Sequence, residues 1–125
     1  MNAQPFKPKA YLLDGCPFSF KLWLFLIEAG LRDQVAVVRC NPQDSSFAAV
    51  REKLERGLGK KPSFPAVEME PGRYESDSDA LIEDFAGRAG VDPAQLPALT
   101  FYKQTIFPQV VELHERKSHA SEPLR

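Results

Sequence analysis

The stretch FSFKLWLFLIEAG, residues 18–30, constrains the fold most. It has helical length, with Pro17 suited to a first helical position and Gly30 to a C-terminal cap. Leu22, Phe25 and Leu26 form one apolar stripe, and Phe20, Trp23 and Ile27 add a second beside it. A helix apolar on so much of its circumference needs cover on both sides. It therefore belongs inside a layered domain, with further structure across its outer face. At 125 residues the chain has room for one domain with a real core, not two.

The flanking sequence supplies the layers. Ala10–Asp14 (AYLLD) is a short apolar run that reads as a buried strand, broken by Gly15 and Pro17. Val35–Val38 is β-branched and reads as a second strand. Asn41-Pro42 turns the chain, and Asp44 is placed to cap a helix with Phe47, Val50, Leu54 and Leu58 on one side and Arg51, Lys53 and Arg56 on the other. Gly57 and Gly59 end it. Ala66–Met69 is a third strand, Pro71-Gly72 a turn, and Arg73–Glu75 a short fourth strand antiparallel to the third. Ser76–Asp79 is a helix-start signature, with Leu81, Ile82, Phe85 and Ala89 as the expected buried face. After Asp92-Pro93 a last helical stretch runs over residues 96–117, with Pro108 expected to kink or interrupt it. The order is β-α-β-α-β-β-α plus a C-terminal helix. A right-handed crossover makes the first two strands parallel, so the sheet is mixed.

Bulk properties exclude several classes. The net charge of −1 gives no electrostatic reason to expect nucleic acid or an anionic membrane. No run approaches the ~18 apolar residues of a membrane span. MNAQPFKPKA lacks an apolar signal region, so a cytoplasmic location is expected. Cys16 and Cys40 form no CxxC pair, and with His114 and His119 they make no zinc spacing, so no metal is expected.

Three features carry the chemistry. Cys16 stands at or just before a helix N-terminus, where unpaired N–H groups and the helix dipole favour a thiolate; a nearby Asp14 carboxylate works against it. Ser63-Phe64-Pro65-Ala66-Val67 puts a proline where a strand begins, a position compatible with a cis bond. Asp77 and Ser78 stand at another helix start, where N–H groups can hold a carboxylate and Asp77 an ammonium group.

CPFS at 16–19, SFPAV at 63–67 and DSDALIEDF at 77–85, in this order and spacing, resemble the N-terminal domain of the glutathione transferase family and, more widely, the glutaredoxins of the thioredoxin-like superfamily. The resemblance covers residues 9–90 and implies a thioredoxin-like α/β domain that binds glutathione as cosubstrate. It implies that Cys16 faces the glutathione sulfur and that Phe64 bonds the peptide through its main chain beside a cis Pro65. Asp77 and Ser78 would hold the γ-glutamyl end, and Phe18 joins the binding residues. Family members with cysteine at this position resemble thiol transferases that form a mixed disulfide with glutathione. Because Ser19 takes the fourth motif position, exchange here would be monothiol. The implied partners are glutathione, a disulfide-bearing or glutathionylated protein, and a second copy in a homodimer.

The pattern departs from the family in places. Ser63 stands where a lysine is frequent, leaving Lys60 and Lys61 as candidates for the glycyl carboxylate, and Asp14-Gly15 replaces a lysine before the cysteine. In transferases a separate helical domain covers the first helix and forms most of the electrophile pocket. Here residues 91–117 read as a helical extension whose Leu99, Tyr102, Ile106, Val110 and Leu113 can cover the Trp23 face, unless a second copy does. Residues 1–8 and 118–125 read as flexible termini. Cys40 reads as a small buried hydrophobe and His114 as an exposed helix-end histidine. Two alternatives to thiol exchange stay open: a non-catalytic interaction module on the same fold, and a glutathione-conjugating transferase lacking most of the helical domain.

Overall fold

Glycine and proline breaks divide the apolar runs, and the chain folds along those divisions. The structure, a computed structural model, describes residues 6–120. Its elements are β1 (Lys9–Leu13), α1 (Pro17–Glu28), β2 (Ala36–Cys40), α2 (Phe47–Leu58), β3 (Ala66–Glu70), β4 (Arg73–Ser76), α3 (Ser78–Ala89), α4 (Pro97–Phe101) and α5 (Phe107–Ala120). The arm expected over residues 1–8 and the tail expected over residues 118–125 fall partly outside the described residues.

The strands form one sheet in the order β2-β1-β3-β4. β1 runs parallel to β2, β3 antiparallel to β1, and β4 antiparallel to β3. Alternation along the strands divides the core in two, because successive side chains point to opposite faces. Ala10, Leu12, Val67 and Met69 face a layer made of Leu22, Phe25 and Leu26 of α1 with Leu81, Ile82, Phe85 and Ala86 of α3. Tyr11, Cys40 and Ala66 face α2 through Leu54. Leu22, Phe25 and Leu26 are fully buried, each contributing about 1.5–3 kcal/mol by leaving water.

Two helix details differ from expectation. Ala89 is exposed and Ala86 takes its place, because Ala86 lies one position on from Phe85 on the inward stripe. Asp44 does not cap α2 with its side chain: Ser46 is the N-cap residue, without a side-chain bond, and the Asp44 carbonyl accepts from Phe47 N–H. Gly57 owes its place to packing, since a Cβ there would run into the Tyr74 ring.

The outer face of α1 is covered in part. α4, a π-turn over Tyr102–Ile106, and α5 form one continuous helical path along it. Pro108 lacks the N–H that an α-turn needs, and the turn before it widens so that Phe107 N–H donates to the Tyr102 carbonyl, five residues back. The expected interruption is thus a local widening. Leu99 and Tyr102 are buried against α1, while Leu113 is 61% exposed and does not cover the Trp23 face. No helix among the described residues is long and apolar enough to cross a membrane.

Candidate functional site

The turn from β1 to α1 is built to present a thiol. Gly15 supplies the left-handed conformation (φ +78°) that turns the chain, and Cys16 N–H closes the turn on the Leu13 carbonyl at 3.1 Å. Cys16 is then the N-cap of α1, with Pro17 in the first turn. Its side chain makes no capping bond, so the first-turn N–H groups of Phe18 and Ser19 remain oriented toward the thiol's end of the helix. Ser19 has a structural task, its hydroxyl accepting from Leu13 N–H at 3.0 Å.

Cys16 is 6% exposed, and its thiol donates to the Phe64 carbonyl, with Sγ 3.9 Å from the oxygen. The Phe64–Pro65 bond is cis, and the Phe64 ring stacks on Phe47. β3 pairs Ala66 with Ser76, so Pro65 and Asp77 are the residues immediately outside this last pair. Cys16 and Phe64 are thus in contact, and Pro65 and Asp77 lie at the same end of the sheet.

Asp77 is the one non-glycine residue with positive φ (86°) among the described residues. Its carboxylate accepts from Asp79 N–H at 3.0 Å and Ala80 N–H at 3.5 Å, capping α3. Asp77 is exposed and Ser78 buried. Phe18 lies differently from the other predicted binding residues: its ring turns toward α5 and meets Phe107 edge-on at 5.3 Å. Lys60 and Lys61 are exposed in the segment between α2 and β3.

On its other side Cys16 opens on a cleft of about 690 Å³, mostly apolar, whose walls include Leu12, Phe20, Trp23, Tyr102, Ile106 and Val110. Asp14 and Arg39 sit at this cleft and neutralise each other in a two-pronged ion pair, at 3.1 and 3.0 Å. Asp14 thus spends its charge on Arg39, whose guanidinium it holds above its usual range. His114 is half-buried on α5 and does not line the cleft. Cys40 is buried, its thiol pushed up first by burial and then by Asp14, as suits an inert core residue. Among the described residues no three His, Cys, Asp or Glu side chains cluster as a metal site.

Two residues at the site make bonds that the sequence reading missed. The Tyr102 hydroxyl donates to the Pro17 carbonyl at 2.9 Å, so the C-terminal helices touch the turn that carries the thiol. Burial, and secondarily Cys16, push the Tyr102 phenol up, keeping it a donor. Its spacing with Leu99 placed it on the inner face, and a buried tyrosine needs a partner for its hydroxyl; that partner was the missing information. Lys21 is buried and bonded to Asp79. Periodicity gave no sign that the one cation of an apolar helix would point inward.

Comparison with known proteins places this architecture. No curated protein matches the chain significantly. Glutaredoxin 2 from Salmonella typhimurium, solved in complex with glutathione, is 19% identical, with a TM-score of 0.52 over 96% of this chain and 62% of its own. A possible glutathione S-transferase from Rhodopseudomonas palustris is 21% identical (TM-score 0.49; 82% of this chain, 52% of its own). Glutathione transferase Omega 3C from Trametes versicolor is 23% identical (TM-score 0.47; 68% and 34%). The chain thus spans 34% to 62% of the length of these three structures. The likeness to glutaredoxin 2 is one of fold, the expected thioredoxin-like α/β fold with a C-terminal helix. Residues 11–93 match the family described as glutathione S-transferase, N-terminal domain, and the chain belongs to that family.

Proposed function

We propose that this domain binds glutathione and carries out monothiol thiol–disulfide exchange through Cys16. The observation that carries the reading is the meeting of the Cys16 thiol, at the start of α1, with the Phe64 carbonyl 3.9 Å away on the segment that pairs toward Asp77. Glutathione is an extended peptide with a thiol at its centre and a zwitterionic glutamyl end. The Phe64 main chain supplies an edge for the peptide, Ser78 N–H and hydroxyl a seat for the α-carboxylate, and Asp77 a partner for the ammonium group. The uncommon backbone of Asp77 supports a binding role, since such conformations gather at ligand sites.

The cycle needs no further group. The Cys16 thiolate attacks the glutathionyl sulfur of a mixed disulfide R–S–SG. The Cys16–SG bond forms as the R–S bond to that sulfur breaks, and RS⁻ leaves and takes a proton. A second glutathione thiolate attacks the glutathionyl sulfur on Cys16, giving glutathione disulfide and returning the Cys16 thiolate. A Cys16→Ser variant is expected to lose deglutathionylation of a glutathionylated peptide; full activity in that variant rules out this nucleophile.

The apolar cleft favours a second reading. Phe20, Trp23, Tyr102 and Ile106 wall a space beside Cys16 that suits an apolar electrophile, so the domain would conjugate glutathione to it. Product formation with a model aromatic electrophile, surviving in Cys16→Ser, would favour conjugation. Calorimetry without heat at millimolar glutathione would favour the interaction module over both.

A further inference from the structure

Lys21 is a charge for which the exchange cycle has no use. Its side chain is 3% exposed. Nζ donates to Asp79 Oδ1 at 2.7 Å and lies 4.3 Å from the centre of the Phe107 ring, with the Phe18 ring at 6.0 Å. A buried cation is a poor source of stability, because desolvation offsets the attraction and an apolar side chain of like volume is often as good. Asp79 is 71% exposed and would be hydrated without its partner. Stability therefore leaves the charge unexplained, whereas its position does not.

Asp77 and Asp79 flank Ser78 at the first turn of α3. Two uncompensated carboxylates there would repel the α-carboxylate that Ser78 is to hold. We propose that Lys21 is a positioning residue that sets the charge of this helix start: it neutralises Asp79, leaving Asp77 as the one uncompensated carboxylate, for the glutamyl ammonium, and lowering the repulsion felt by an α-carboxylate at Ser78. The inference rests on the glutathione reading above. The Phe107 ring closes over the ammonium group and covers the lysine end of the pair, while Asp79 stays exposed.

Calorimetric titration of the full chain with reduced glutathione tests this. Lys21→Met is expected to weaken binding about tenfold, the scale for losing a partly desolvated charge partner, with the rate of Cys16 alkylation by iodoacetamide unchanged. Lys21→Arg is expected to stay within about twofold of wild type, since it keeps the charge. The double variant Lys21→Met/Asp79→Asn is expected to recover most of the loss, which a merely structural lysine would not allow. Asp79→Asn alone is expected to bind at least as tightly as wild type, and it carries the test if Lys21→Met does not fold. Equal binding by wild type and Lys21→Met, a double variant as weak as Lys21→Met, or weakened binding by Asp79→Asn each overturns the role of Lys21. Absence of heat with the wild type overturns the glutathione reading, and this inference with it.

Discussion

Glu28 ends α1 and reaches along the chain to start α4. Its Oε2 accepts from Ala98 N–H and its Oε1 from Leu99 N–H, each at 2.8 Å. The α4 sequence has no cap of its own: Leu96 precedes the helix without a side-chain bond, and Pro97 has no N–H. Glu28 supplies the missing acceptor, with a negative charge at the positive end of a helix. Bonds to a charged acceptor contribute about 1.5–3 kcal/mol each when buried. Glu28 is half-buried and the freed N–H groups would reach water, so the pair is worth about 2 kcal/mol, the upper end for a deleted cap. With about 2.1 cal/mol/K of unfolding entropy per residue over 125 residues, Glu28→Ala should lower the thermal midpoint by about 8 °C. Glu28→Gln keeps one acceptor oxygen and should lose at least half as much. Thermal unfolding followed by circular dichroism gives both values. A drop under about 2 °C for Glu28→Ala would refute the reasoning, showing that Leu99 and Tyr102 dock α4 by packing alone.

Three further outcomes follow from the geometry. Gly57→Ala should destabilise by about 1–3 kcal/mol in urea unfolding, because the new methyl meets the Tyr74 ring and outweighs the ~1 kcal/mol gain in helix propensity; a stabilised variant would contradict that contact. Burial pushes the Cys40 thiol and the Tyr74 and Tyr102 phenols above their ordinary values of 9.0, 10.0 and 10.0. Unfolding restores those values, so the unfolded chain releases these protons first. The stability these groups contribute is whole below the ordinary values and is lost as pH rises through and past them. The urea midpoint should accordingly fall between about pH 8 and pH 11; a flat or rising midpoint would count against it. Folded Cys16→Ser protein should resist iodoacetamide at neutral pH and react once unfolded, because Cys40 stays a buried thiol; rapid labelling of the folded variant would reopen a role for Cys40.

The sheet and the helix order were legible because they rest on alternation and breaks. Tyr11 beside Leu12, and Ala66 beside Val67, each send neighbours to opposite faces, and Gly15, Pro17 and Pro71-Gly72 stop elements where the chain turns. The thiol, the proline strap and the helix start were legible as short motifs. Bonds between distant elements were not. Nothing local ties Glu28 to Ala98, Lys21 to Asp79, or Tyr102 to Pro17, since each pairing depends on how helices cross after folding. The Asp14 charge was read as a burden on Cys16 because its partner Arg39 lies on the next strand. The buried face of α3 was misplaced at Ala89 because a small residue fits inside or outside a helix equally well.

The central claim is that Cys16 is the exchanging thiol of a glutathione site. Intact-mass spectrometry after incubation with glutathione disulfide tests it most directly. The account predicts one glutathionyl group, mapped to Cys16, that added glutathione removes, and none on Cys16→Ser. Modification confined to Cys40, or a Cys16→Ser variant that takes up and releases glutathione as the wild type does, would contradict it.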